Sequence, residues 1–95
     1  MSQDRDQETV SGVIWSMFEA SQRGKATSWT VYDHPRDHPV GFIARRFEIG
    51  SSVAMPTEDV LTGELEHLRE VFERAGLVKI MRSEGDEPQI VESWF

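Results

Sequence analysis

Residues 57–75 read TEDVLTGELEHLREVFERA, and this stretch carries the strongest periodic signal in the chain. Its main apolar residues are separated by four, three, four and three positions, which places them in one stripe along a 3.6-residue helix. The stripe consists of Leu61, Leu65, Leu68, Phe72 and Ala75. The charged residues between these positions lie on the opposite side, as in a helix with one solvated face. We therefore expect an amphipathic helix that covers a sheet.

The end of this helix is better defined by the sequence than its start. Gly76 follows the last periodic residue, where glycine commonly closes the final turn. Thr57, after Pro56, is one candidate for the N-cap, and Thr62 is a second candidate that would cap a shorter helix beginning at Gly63. A glycine in a helix interior costs about 1 kcal/mol, roughly the value of one cap, so propensity leaves both starts open.

The composition suits a single folded domain. The chain has 95 residues, of which 38% are hydrophobic and 9% aromatic, enough for one core. A net charge of −7 disfavours general attraction to nucleic-acid phosphates or anionic lipid. The absence of cysteine excludes disulfides, thiolate metal ligands and a cysteine nucleophile. The sequence shows neither the apolar stretch of a signal peptide nor a membrane span, so we expect a cytoplasmic protein.

The N-terminal part of the chain divides into a tail and a helix. Residues 1–8 are polar and predict a flexible tail, followed by a single α+β domain over residues 9–95. Over residues 9–24 the apolar positions recur at helical spacing and predict an N-terminal helix. These positions are Val10, Val13, Ile14, Met17 and Phe18. If the rest of the chain has its own core, this helix is a peripheral extension. Gly12 and the β-branched residues near it leave a strand over residues 9–18 as the alternative.

Four segments have the alternation or the short apolar runs of strands. They lie at residues 29–32, 40–49, 77–81 and 89–95, and polar loops join them in two pairs. Residues 50–52 form a turn, and residues 53–56 lead into the main helix. Short loops require antiparallel pairing. The expected fold is a two-layer α+β fold. Its antiparallel sheet has about four strands in two hairpins and packs on one main helix. With an additional N-terminal helix, the order of elements is α-β-β-α-β-β.

Several short motifs resemble a group of small, uncharacterised bacterial proteins. They are WTVY at residues 29–32, HP at 34–35, FIARRFE at 42–48, PT at 56–57 and EPQIVESW at 87–94. The resemblance covers the chain from Trp29 onward, and residues 1–28 form an extension outside it. It implies a compact bacterial domain and brings with it no activity, cofactor or catalytic residue.

The loop at residues 33–39 contains the densest set of metal-binding side chains. Asp33-His34 is repeated as Asp37-His38, and the candidate ligands for zinc or another divalent ion are His34, Asp37 and His38. A metal-binding module or a small metal-dependent enzyme would use this loop. The spacing matches no known ligand motif, however, and a proline-stiffened loop whose aspartates accept backbone hydrogen bonds explains the same residues.

Aromatic residues and arginines occur together on the first two strands, as in proteins that bind single-stranded nucleic acid. Phe42 and Arg46 are the candidates for such a surface. Adjacent arginines on a strand point in opposite directions, which halves the patch, and the acidic net charge opposes it. The alternative is a core aromatic set with solvated or ion-paired arginines. In that arrangement either the edge of the sheet face around Arg45 is wet or Arg45 has a carboxylate partner, for which Glu92 is one candidate.

No stretch of the sequence predicts a catalytic site. The glutamates of the main helix lie on its expected solvated side: Glu64, Glu66, Glu70 and Glu73. The sequence contains no recognisable nucleophile motif, phosphate-binding loop or metalloprotease spacing. We therefore expect a non-enzymatic domain that binds another protein or a second copy of itself through Trp15, Met17 and Phe18.

Overall fold

The computed structural model describes residues 2–33, 41–81 and 88–95, with side chains from Gln7 onward in the first range. Its helices are α1 (Ser2–Gln22) and α2 (Leu65–Arg74), and its strands are β1 (Ala26–Asp33), β2 (Phe42–Gly50), β3 (Val53–Gly63), β4 (Lys79–Met81) and β5 (Ile90–Trp94). The strands form one antiparallel sheet in the order β3-β2-β1-β5-β4. The α+β class is confirmed. The expected number of strands is wrong by one, because the order in the described ranges is α-β-β-β-α-β-β.

The additional strand is β3, which occupies the residues whose pattern predicts the start of the main helix. Ser51 and Ser52 have φ angles of 52° and 69°, the left-handed values that favoured two-residue hairpin turns require. The turn returns the chain along β2, where Ala44 pairs with Leu61. The prediction of a helix from Thr57 is therefore wrong. The backbone groups of this segment pair with β2, and a continuous ladder outweighs the local helical pattern.

α2 begins at Leu65, close to the shorter of the two predicted helices. Glu64 is the N-cap residue in an extended conformation, and its side chain makes no capping hydrogen bond. Gly63, predicted as the first residue of the shorter helix, ends β3 instead and has a φ angle of 151°. Gly76 has a φ angle of 87°, as expected for the glycine that closes the last turn.

α1 confirms the helical alternative for the N-terminal segment. Val10, Val13 and Ala20 are buried, and Met17 packs against the core. These four positions follow one another at intervals of three, four and three residues, as on one face of a helix. α1 therefore contributes directly to the core. The helix begins at Ser2, within the segment predicted as a flexible tail. The mobility of residues 1–8 stays a prediction.

β1 lies at the centre of the sheet, between β2 and β5. Trp29 is opposite Arg46 on one side and opposite Trp94 on the other. Directly opposite residues in an antiparallel pair point to the same face, so these three side chains share one face of the sheet. Each of the four predicted strand segments contains a strand, although β1 is longer than residues 29–32 and β4 is shorter than residues 77–81.

Both helices pack on this face, which we call the helix-covered face. Phe72 of α2 lies between two indole rings, with centroid distances of 5.4 Å to Trp29 and 5.6 Å to Trp94. Tilted aromatic pairs at such distances add to the free energy gained from burial. The remaining buried residues of the core come from both helices, the strands and the chain after α2: Val10, Val13, Val31, Ala44, Leu68, Val71, Ala75 and Leu77.

Candidate functional site

A groove runs between α1 and the half of the sheet formed by β2 and β3. Its volume is about 380 Å³, and its lining includes Gly12, Trp15 and Glu19 from the helix and Arg46 and Asp59 from the sheet. The remaining wall is mostly apolar and includes Val13, Trp29 and Leu61. Ligand sites commonly have volumes of about 300–1,000 Å³, so the groove is large enough for a small molecule.

Arg46 is the buried charged group in this groove. Its side chain is 8% exposed. Its Nε donates a hydrogen bond of 2.7 Å to Oδ2 of Asp59, and its Nη1 donates one of 3.0 Å to Oε2 of Glu48. A buried guanidinium without such partners would be strongly destabilising. Two carboxylates therefore fix the position of Arg46.

The position of Asp59 depends on an irregularity in β3. A register shift between Arg45 and Phe47 leaves three residues of β3 opposite the single residue Arg46. Thr57 stabilises the irregular segment, because its Oγ1 donates to the carbonyl of Arg46 at 2.9 Å and accepts from the N–H of Asp59 at 3.1 Å. Bulges of this kind redirect side chains. Here the bulge brings the carboxylate of Asp59 to the guanidinium of Arg46.

Glu48 connects this arginine to the end of α1. Arg23 donates two hydrogen bonds to the carboxylate of Glu48, of 2.9 Å and 2.7 Å. The hydrogen bonds from Arg23 and Arg46 lower the pKa of Glu48 to about 2. The same contact raises the pKa of Arg23. Arg23, Glu48, Arg46 and Asp59 therefore form a continuous ion-pair network that reaches the groove through Arg46 and Asp59.

A second ion pair lies under α2. Arg69 donates to Oε1 of Glu92 at 2.7 Å, and the indole N–H of Trp94 donates to Oε2 at 2.8 Å. Burial acts to raise the pKa of Glu92, but the hydrogen bonds from Arg69 and Trp94 outweigh it, so the pKa is lowered. Glu92, the candidate partner of Arg45, is therefore paired with Arg69, and Arg45 donates to the carbonyl of Thr57 at 2.6 Å.

The face of the sheet opposite the helices, which we call the open face, is rich in apolar residues. The alternation of each strand places these side chains away from α1 and α2: Tyr32, Ile43, Phe47, Ile49, Val60, Ile80 and Ile90. Beyond Ile80, Val78 and Phe95 are exposed and exchange two backbone hydrogen bonds. In the described ranges, both helices pack on the other face. The open face is therefore an apolar surface without a helical cover.

The three residues predicted for partner binding on the N-terminal helix separate into two groups. Trp15 and Phe18 are 62% and 52% exposed, and their rings stack with a centroid distance of 5.8 Å. Met17 instead packs against the core. The same helix exposes Ile14 one turn before Phe18. α1 thus carries a small exposed aromatic surface beside the groove.

The predicted metal ligands His34, Asp37 and His38 lie outside the described residues. Within residues 2–33, 41–81 and 88–95, no group of three or more histidine or acidic side chains is arranged to hold a metal ion. In the same ranges, neither helix is long and apolar enough to cross a membrane.

Phe42 and Arg46, the residues predicted for nucleic-acid binding, lie on the helix-covered face. Phe42 is half-buried and packs against the core, and Arg46 is paired with two carboxylates. This placement corresponds to the alternative prediction of core aromatics with an ion-paired arginine. The glutamates of α2 are exposed as predicted, including Glu66 and Glu70.

The periodic pattern of the sequence does not reveal the groove. Asp59 falls in the segment whose spacing predicts a helix, so nothing in the pattern places it beside Arg46. The available signal was Gly12, a glycine within an otherwise helical pattern. Such a glycine often has a packing or a functional reason, and here it lines the groove.

Comparison of the chain with protein-family models, with curated proteins and with solved structures gives no match. The resemblance of the chain from Trp29 onward to a group of small bacterial proteins stays a prediction.

Proposed function

We propose that this chain is a non-enzymatic protein-interaction domain that forms a homodimer through the open face of its sheet. The observation that carries this proposal is the row of large apolar side chains on a face that neither described helix covers. Monomeric domains rarely expose contiguous apolar patches of more than a few hundred Å², and larger patches mark interaction sites. A second copy of the chain supplies a matching apolar surface.

The dimensions of the open face suit a stable dimer. Strands lie ~4.8 Å apart and rise ~3.3 Å per residue, so this five-stranded sheet has a footprint of roughly 600 Å². Specific interfaces remove about 800 Å² of accessible surface from each partner, and side-chain relief makes the accessible surface larger than the flat footprint. Sheets that pack face to face lie about 10 Å apart and interdigitate their side chains.

The distribution of charge also favours this face over the rest of the surface. Two copies that each carry a net charge of −7 repel one another in most orientations. Among the paired strand positions that the structure describes, none on the open face carries a carboxylate. Arg45 is the charged residue at these positions, and it is hydrogen-bonded to the carbonyl of Thr57. Two open faces can therefore meet without opposing carboxylates at these paired positions.

The aromatic surface of α1 is a smaller candidate for the same role. It consists of Ile14, Trp15 and Phe18, which occupy little more than one turn of helix. The open face extends over all five strands. An interface centred on α1 alone would bury less apolar area, so we assign the dimer contact to the sheet.

The test is the molar mass of the full chain in solution, measured by size-exclusion chromatography with light scattering over a range of protein concentrations. We expect a dimer.

Phe47→Glu places a carboxylate in the middle of the open face, outside the core cluster, and is expected to give a folded monomer. Phe18→Glu makes the same substitution on α1, where the side chain is exposed, and is expected to leave the dimer intact. Circular dichroism and tryptophan fluorescence establish that both variants fold.

Ile80→Lys provides a second test at an exposed position near the edge of the same face. It is expected to weaken the dimer even if Phe47→Glu does not fold. A wild-type chain that is monomeric at all concentrations would refute self-association. Dissociation caused by Phe18→Glu, with Phe47→Glu and Ile80→Lys still dimeric, would move the interface to α1.

A further inference from the structure

We propose that the groove between α1 and β3 binds a small organic cation with a flat apolar body. The groove lies on the helix-covered side of the sheet, so it is separate from the open face to which we assign the dimer contact. Its lining combines an exposed indole, two carboxylates from opposite walls and an apolar floor. This combination differs from a simple gap in packing, which would be lined by apolar groups.

Gly12 lines the groove without contributing a side chain. A Cβ atom added at this position would meet no atom within 4 Å, so the backbone of the helix is not crowded there. Glycine costs about 1 kcal/mol relative to alanine in a helix interior. Gly12 has no positive φ angle that would require glycine. The residue therefore weakens α1 while leaving space in the wall of the groove.

The charged residues of the groove determine the sign of the charge that a ligand carries. The charged residues of the lining are Glu19, Asp59 and Arg46, so two carboxylates stand against one guanidinium. That guanidinium already donates hydrogen bonds to Asp59 and Glu48. Because Asp59 is paired with Arg46, the remaining charge of the lining is the carboxylate of Glu19, which repels an anion and attracts a cation. The net charge of −7 acts in the same direction over longer distances.

Trp15 supplies the aromatic contact. It lies one helical turn before Glu19, so the two side chains are neighbours on the surface of α1. Indole is the side chain that attracts cations most strongly through its ring face. Phe18, which does not line the groove, stacks on the ring of Trp15. A cation between Glu19 and Asp59 then contacts the indole while its apolar body lies against Leu61.

The experiment measures binding of three probes to the full chain by isothermal titration calorimetry. Phenethylamine, 2-phenylethanol and 3-phenylpropionate share a phenyl ring and differ in charge. We expect phenethylamine to bind about ten-fold more tightly than 2-phenylethanol, and 3-phenylpropionate not to bind. The affinity for phenethylamine should fall with added salt, because part of it comes from charge.

Two matched variants at position 12 test where the probe binds. Gly12→Leu fills the groove and is expected to abolish binding, whereas Gly12→Ala adds a single methyl group to open space and is expected to retain it. Glu19→Gln is expected to lower the affinity for phenethylamine several-fold without changing the affinity for 2-phenylethanol. The monomeric variant Phe47→Glu should bind phenethylamine as the wild type does, so the groove is tested independently of the dimer.

Three results would overturn the proposal. Equal or tighter binding of 3-phenylpropionate would show that Arg46 dominates and that the groove takes anions. Unchanged binding by Gly12→Leu would place the probe elsewhere on the chain. The absence of binding by any of the three probes at millimolar concentration would show that the groove is not a ligand site.

Discussion

The guanidinium of Arg69, on α2, holds the carboxylate of Glu92, on β5, through hydrogen bonds of 2.7 Å and 3.1 Å, and Glu92 is completely buried. This pair joins the helix to the sheet beside the aromatic core. The indole of Trp94 donates to the same carboxylate, so a residue of the core also depends on its position. The contact explains why an acidic residue occurs in the middle of a buried strand face.

Removal of Arg69 should therefore destabilise the fold much more than the loss of an exposed ion pair. In the variant Arg69→Met the carboxylate of Glu92 stays buried without its counter-charge. We expect a loss of about 3 kcal/mol in the free energy of unfolding, measured by urea denaturation at neutral pH. Glu66→Gln is the control, because it removes the exposed partner of the same arginine and should change stability by less than about 0.5 kcal/mol. Equal effects of the two variants would contradict the structural role of Glu92.

The stability of the fold should decrease in acid through Glu48 and Glu92. Both carboxyl groups have lowered pKa values in the folded state, and that of Glu48 is about 2 against an ordinary value of 4.5. The stabilisation that they provide is therefore complete above pH 4.5 and is lost as the pH falls from 4.5 toward 2.

The variant Glu48→Gln tests this dependence. It should be less stable than the wild type at pH 7, and the two unfolding midpoints in urea should converge as the pH approaches 2, because protonation neutralises the wild-type carboxylate as well. Glu70→Gln, on the exposed side of α2, should follow the wild-type curve at every pH. A constant difference between Glu48→Gln and the wild type down to pH 2 would exclude the ionised Glu48 as its origin.

The turn between β2 and β3 contains two residues with unfavourable backbone angles. Ser52 has a φ angle of 69°, which glycine adopts without a steric penalty. Ser52→Gly should increase the free energy of unfolding by about 0.5–1 kcal/mol. Ser52→Ala also removes the hydroxyl but retains a Cβ, so it should give no gain. A destabilised Ser52→Gly variant would indicate that the hydroxyl, rather than the backbone, determines this turn.

Phe72 should be the most sensitive position of the aromatic core. It is fully buried between Trp29 and Trp94, so Phe72→Ala leaves a cavity and should cost about 3–5 kcal/mol. The near-ultraviolet circular dichroism of the tryptophans should weaken at the same time. Phe18→Ala, on the exposed side of α1, should change stability by less than about 0.5 kcal/mol. Similar losses for both variants would contradict the placement of the core.

The sequence pattern predicted the central part of the fold but not the third strand. Leu68 and Phe72 face the sheet as their spacing requires, because a helix with one apolar stripe has a single favourable way to bury it. Leu61 continues the same spacing by coincidence, and it lies in β3 opposite Ala44. Local periodicity contains no information about a strand partner more than ten residues away, so it cannot distinguish the end of a hairpin from the start of a helix.

The candidate sites were less accessible to sequence reasoning than the fold. The exposure of Trp15 and Phe18 agrees with the predicted partner surface, but Met17 belongs to the core. The open face arises only when β1, β2 and β3 are paired in register and both helices lie on one side. Arg46 and Asp59 are brought together by a bulge, whose position depends on the pairing of two strands rather than on either strand alone.

By itself, the sequence determined the C-terminal part of the main helix, four of the strand segments and the acidic helix surface, because these depend on the spacing of apolar residues within each segment. Only the tertiary structure decided that residues 53–63 extend along β2 and that Glu92 pairs with Arg69. It also decided that a groove forms between α1 and the sheet, and that neither described helix covers the opposite face of the sheet. The physical reason is that these features depend on contacts between segments far apart in the chain. The free energy of such contacts exceeds local propensity and leaves no periodic trace in the sequence.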